Sequence, residues 1–121
     1  MFKKLFKKKE TRKAFIIGFH VKPMSNSIMP PEMGGAYVDC FSMGKGYEEA
    51  TKKALDKLLS DGLHPEEILE PILELDISEW FSYAIDRWPD YIDSVATQLE
   101  FEESMTSGNV VYGPFGAYNP Q

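Results

Sequence analysis

The stretch "GGAYVDCFSMGKGYEEATKKALDKLLSDG", residues 34–62, decides how this chain is read, because its periodicity changes in the middle. In "AYVDCFS" the side chains alternate: Tyr37, Asp39 and Phe41 leave one face, and Ala36, Val38 and Cys40 leave the other, which is the signature of a strand. Gly44 and Gly46 break it. Beyond them Tyr47, Ala50, Thr51, Ala54 and Leu58 fall at i, i+3, i+4 spacing, so the pattern predicts a helix over 47–61. Glu48 and Glu49 in its first turn complement the helix dipole, and each has a lysine four residues on, Lys52 and Lys53. Gly62 stands where a left-handed residue ends a helix.

Working outward, residues 14–22 alternate in the same way, with Phe15, Ile17, Phe19 and Val21 on one side and Ile16, Gly18, His20 and Lys22 on the other, until Pro23 ends the strand. The segment "PMSNSIMPPEMGG", residues 23–35, holds three prolines and two glycines and reads as an irregular connection; Met24, Met29 and Met33 fit loop residues tucked over the sheet edge, the alternative being an adaptable binding surface. In "LHPEEILEPILELD" Pro65 suits a first helical turn, whereas Pro71 inside a longer helix would cost about 3 kcal/mol. The expectation is a single turn at 65–68 and a strand over 69–75. Asp76 and Glu79 resemble a capping box before a helix whose apolar face is Trp80, Phe81, Ala84, Ile85 and Trp88. Pro89 marks a kink or fresh start, after which Tyr91, Ile92, Val95 and Leu99 continue the periodicity to about residue 104. "VVYG" is a last short strand and "PFGAYNPQ" a tail. The order β-β-α-β-α-α-β predicts an α+β domain over 14–121, with a small antiparallel or mixed sheet packed against amphipathic helices.

A chain of 121 residues with 43% hydrophobic and 26% charged residues matches one soluble globular domain. Cys40 is the only cysteine, which excludes an intramolecular disulfide, a Cys-rich zinc site and a CxxC redox motif, and fits a cytoplasmic location. The apolar run "AFIIGF" is too short for a signal-peptide core or a bilayer span. The net charge of −6 is unevenly distributed: residues 1–13 carry seven Lys or Arg against Glu10, and the remainder carries six basic residues against eighteen acidic ones. After Gly62, Arg87 is the only basic residue.

That division suggests two binding elements. Residues 1–13, with Lys3, Lys4, Lys7, Lys8 and Lys9 around Phe2, Leu5 and Phe6, form a basic amphipathic arm of the kind that meets anionic lipid or nucleic acid; the plain structural reading is a solvated arm. Asp86, Asp90 and Asp93 lie at helical spacing, and Glu100, Glu102 and Glu103 follow, so one outer helical face would present a negative field with Trp88 and Tyr91 beside it. For Trp80 and Trp88, core packing is the competing reading.

Catalytic chemistry finds no constellation. Cys40 would need a base, for which His20 is the candidate, with Asp39 as orienter, but consecutive strand residues leave opposite faces, so Asp39 and Cys40 cannot serve one site. His20 and His64 lack any HxxxH spacing, and Glu66, Glu67, Glu70, Glu74 and Asp76 lack the ligand order of a calcium loop, so neither a metal nor a cofactor is expected. "GKGYEEA" lacks phosphate-loop spacing, and Glu48 and Glu49 would repel an anion from the helix start.

"GGAYVDC" followed by "YEEATKKALDKLLSDG", an acidic strand and a second helix resembles small bacterial α/β domains, some of which behave as immunity proteins of interbacterial toxins; the match covers residues 34–76. The same segment looks like the HicB-type antitoxin domain, although the usual glycine-cysteine turn and a DNA-binding helix pair are missing. The resemblance and the charge together imply an acidic, immunity-type inhibitor that binds a basic protein such as a nuclease toxin through Asp86, Asp90, Asp93, Trp88, Tyr91, Glu100, Glu102 and Glu103. The alternative is a peripheral membrane or nucleic-acid-associated protein acting through residues 1–13.

Overall fold

The computed structural model describes residues 12–120, so all of the predicted basic arm except Arg12 and Lys13 lies outside the described residues. The chain forms β1 (Lys13–Pro23), β2 (Gly35–Ser42), α1 (Tyr47–Ser60), β3 (Leu63–Asp76), α2 (Trp80–Arg87), α3 (Gln98–Thr106), β4 (Val111–Tyr112) and β5 (Gly116–Tyr118), with 3-10 turns at Ile77–Glu79 and Pro89–Ser94. The fold is α+β: β3, β1, β2 and β4 lie side by side, β5 also pairs with β2, and every pairing is antiparallel.

Alternation along β1 divides the core into two layers. Ile17, Phe19 and Val21, with Val38 and Cys40 of β2, face Ala50, Ala54 and Leu58 of α1, all buried. Ala14 and Ile16, with Phe41 and Leu75, face Trp80, Ala84, Phe101 and Met105 on the opposite side. The helices α2 and α3 therefore cover that second face only at the end where β1 begins. At eight residues α2 is about 12 Å long, too short to cross the rest of an eleven-residue strand. Gly18 and His20 continue the face beyond it, opposite Asp39 and Tyr37 in the antiparallel register, with Lys22 next along the same side of β1.

Several sequence expectations need correction. Residues 63–76 form one strand, with no helical turn at 65–68, and both prolines are tolerated because β3 lies at the sheet edge and its pairing with β1 shifts register between Ile16 and Gly18 and again between His20 and Val21. Glutamates and prolines along this edge also discourage pairing with another chain. Asp76 precedes a 3-10 turn without capping it through its side chain, and the capping box forms instead at Thr97, whose hydroxyl accepts from Glu100 N while the Glu100 carboxylate accepts from Thr97 N. The periodicity after Pro89 does not extend one helix. A 3-10 turn, an extended Val95 and a new helix replace it. The supposed tail supplies β5.

Candidate partner-binding surface and the open sheet face

The predicted partner-binding residues are split among three elements. Asp86 lies on α2, Asp90, Tyr91 and Asp93 on the 3-10 turn after Pro89, and Glu100, Glu102 and Glu103 on α3, so no single helical face carries them. Asp86, Asp90, Asp93, Glu100 and Glu103 are nevertheless exposed, and among the described residues none of them has a cation within salt-bridge distance. Glu102 is half-buried and accepts from the Gln98 side-chain amide at 2.7 Å. Exposed apolar side chains accompany them: Phe81, Ile85 and Leu99, together with Tyr91 at 58%. Phe81 and Ile85, read as core residues from spacing, flank the buried Trp80 and Ala84 because a helix on a sheet buries a stripe narrower than its apolar face.

Trp88 is partly buried and packs against the second core layer. Its ring packs on Phe41 (6.2 Å between centroids), Trp80 (6.2 Å) and Tyr83 (5.8 Å), and it presses on Gly113, where any side chain would collide with the indole. Arg87, the lone basic residue of this half, turns toward the sheet. Its guanidinium lies 3.7 Å from the Asp39 carboxylate and over the rings of Tyr83 and Trp88 at 5.5 and 5.7 Å. Arg87 itself stays about half exposed, and a second cation, Arg12, reaches α3 by donating to the Thr106 hydroxyl at 3.0 Å.

Asp39 sits directly across from Gly18, and the missing side chain there gives the carboxylate its niche: a Cβ on Gly18 would come within 3.1 Å of Asp39 Oδ1. Burial raises the Asp39 carboxyl above its ordinary value, and the Arg87 charge opposes the rise. Tyr83 is raised too, chiefly by burial, with Arg87 lowering and Asp39 raising it. Between the ordinary aspartate pKa and its raised folded value, the folded state holds a proton that the unfolded chain has released. The Asp39 contribution is therefore greatest below that window and declines as pH rises through it. Asp39→Asn is expected to flatten that decline in urea-unfolding free energies measured across mildly acidic pH; an unchanged slope would contradict the assignment.

Cys40 is fully buried on the opposite face among the α1 contacts, and burial, followed by the Asp39 charge, pushes its thiol up, so the thiolate a nucleophile needs is suppressed. Asp39 and Cys40 do leave opposite faces, as the alternation predicts. At the start of α1, Glu49 accepts from Lys45 N at 2.7 Å, so a carboxylate of the chain itself occupies the anion-favouring position. Among the described residues no group of three or more His, Cys, Asp or Glu is placed to hold a metal ion, and no helix is long and apolar enough to cross a membrane.

The half of the sheet that no described helix covers brings together residues that spacing alone did not connect. His20 and Tyr37 are cross-strand neighbours with rings stacked 4.8 Å apart, and Tyr118 from β5 joins them at 5.8 and 5.9 Å. The Tyr118 hydroxyl and His20 Nε2 are hydrogen-bonded at 2.6 Å. Tyr118 reaches His20 by passing over Gly35, its partner in the ladder, where a Cβ would strike the phenol. Period-two alternation places His20 and Tyr37 each on a face, but only the register and the unforeseen β5 show that the faces coincide. A comparison of the chain with protein-family models, with curated proteins and with solved structures finds no match in any of the three, so these surfaces must be read from their own chemistry.

Proposed function

We propose that this chain is an acidic protein-binding inhibitor of the immunity type, which neutralises a basic partner such as a nuclease toxin by covering its substrate groove. The carrying observation is the outward set Asp86, Asp90, Asp93, Glu100 and Glu103, none of which has a cation within salt-bridge distance among the described residues, while the nearby Arg87 pairs with Asp39 of the sheet instead. Such a surface gains when a cationic surface replaces its counter-ions, and its exposed Tyr91, Phe81 and Leu99 supply apolar area at the contact. Electrostatic attraction of this kind acts mainly on the association rate.

The test is to immobilise the protein, recover what binds from host lysate with a salt gradient, and then measure association of the purified partner. A basic protein released only at high salt is expected. The variant Asp86→Lys, Asp90→Lys, Asp93→Lys should slow association by about 10–100-fold while leaving the thermal unfolding midpoint within a few degrees of wild type. Association that is unchanged by the reversal would sink the reading.

A further inference from the structure

From the geometry of the open sheet face we infer a second site, independent of the acidic surface: a cavity that binds a planar ring carrying an anionic group, of the nucleoside monophosphate class. The cavity is a groove open to solvent, of about 630 Å³, lined by Lys22, Gly34, Tyr37, Tyr118 and Pro120. That volume lies in the range of small-molecule sites.

Three features select the ligand. First, Tyr37 forms one end of a pre-assembled stack: His20 lies against it at 4.8 Å with 19° between the planes, and the hydrogen bond between His20 and Tyr118 fixes the second phenol beside it. A ring so braced loses little freedom when a flat ligand stacks on it. Second, Tyr37 remains half exposed although it stands in the middle of β2, because its ladder neighbour on β5 is Gly116, which has no side chain to cover it. Packing does not demand that glycine, since a Cβ there would meet nothing closer than the Tyr37 carbonyl oxygen at 3.6 Å. Third, among the described residues Lys22 is the only charged one lining the cavity, and it has no acidic partner within salt-bridge distance there. A cationic ligand would meet repulsion there, and an anionic one would find its counter-ion. The chain's net charge of −6 sets a field against a long polyanion, which favours a mononucleotide over a strand.

Titration of the isotope-labelled full chain with AMP, followed by amide NMR, tests the assignment. Shifts concentrated at Gly34, Gly35, Gly116 and Tyr118 are expected, with adenosine binding more weakly than AMP and Lys22→Gln bringing AMP to the affinity of adenosine. Tyr37→Ala should weaken AMP by about tenfold or more. Gly116→Val leaves all three rings in place and suits a strand, so it keeps the fold while covering the open side of Tyr37, and it should weaken AMP to a similar degree. No response to millimolar AMP overturns the inference, as does equal affinity for adenosine and AMP, or binding that is unchanged in Gly116→Val. Tighter binding of a short single-stranded RNA than of AMP also overturns it, in favour of a polymer. None of these outcomes depends on whether the acidic surface has a protein partner.

Discussion

Trp80→Ala is expected to remove about 3–5 kcal/mol of unfolding free energy, a large share of the 5–15 kcal/mol typical of a domain this size. Trp80 is fully buried where α2 meets the sheet. Its ring lies parallel to Phe101 of α3 at 4.3 Å and edge-on to Phe41 of β2 at 4.9 Å, so a single side chain joins three elements. Its indole N–H donates to the Ala96 carbonyl at 2.7 Å, which ties the segment between the 3-10 turn and α3 to the helix beneath it. Truncation leaves both a cavity and a carbonyl without its donor. Urea denaturation should show a lower midpoint, and a loss below about 1 kcal/mol would mean that the second layer is held elsewhere. Phe81→Ala, one residue on and half exposed, is the internal control and should stay within about 0.5 kcal/mol of wild type.

The contrast between Trp80 and Phe81 shows where sequence pattern reaches its limit. Periodicity places both on an apolar helical face, yet α2 spans eight residues and only its central stripe meets the sheet. Strand and helix over 34–62 were legible because every determinant is local: alternation, the glycine break, the charge order of α1 and the terminal glycine act within a few residues of one another. Strand register is not local, and so the meeting of His20 with Tyr37 and Tyr118 could not be read, although His20 and Tyr37 were correctly placed in strands. The prolines misled in both directions. Pro65 has the composition of a helix start and lies in an edge strand, where tertiary pairing overrides propensity. Pro89 interrupts the helical periodicity more completely than spacing suggests, which scatters Asp86, Asp93 and Glu103 over three elements while leaving them exposed. The charge of a surface survives such errors better than its shape, since exposed carboxylates remain exposed whichever short element carries them.

Gly62→Ala is expected to destabilise the fold by about 2–5 kcal/mol, although it adds one methyl group at a turn. Two costs act together. Gly62 follows the C-cap Asp61 and closes α1 with φ of +76°, a left-handed conformation that costs an L-residue about 1–2 kcal/mol. The added Cβ would also come within 2.6 Å of the Asn26 carbonyl oxygen and the Ser27 Cα, and both are backbone atoms that no rotamer change can move aside. They are held there because Met24 N donates to the Gly62 carbonyl at 2.8 Å and Ile28 N to the Asp61 carbonyl at 3.0 Å. The irregular connection between β1 and β2 is thus fastened to the end of α1. Relieving the collision would pull that loop away and loosen Met29, which packs into the core against α1. Gly108, also left-handed at φ +80°, closes α3 with only the Lys53 ammonium near its absent side chain, at 3.9 Å. Gly108→Ala should therefore show the conformational cost alone, about 1–2 kcal/mol. Equal losses at the two positions would mean that the contact with Asn26 and Ser27 yields without cost; a larger loss at Gly62 measures how firmly the loop is held.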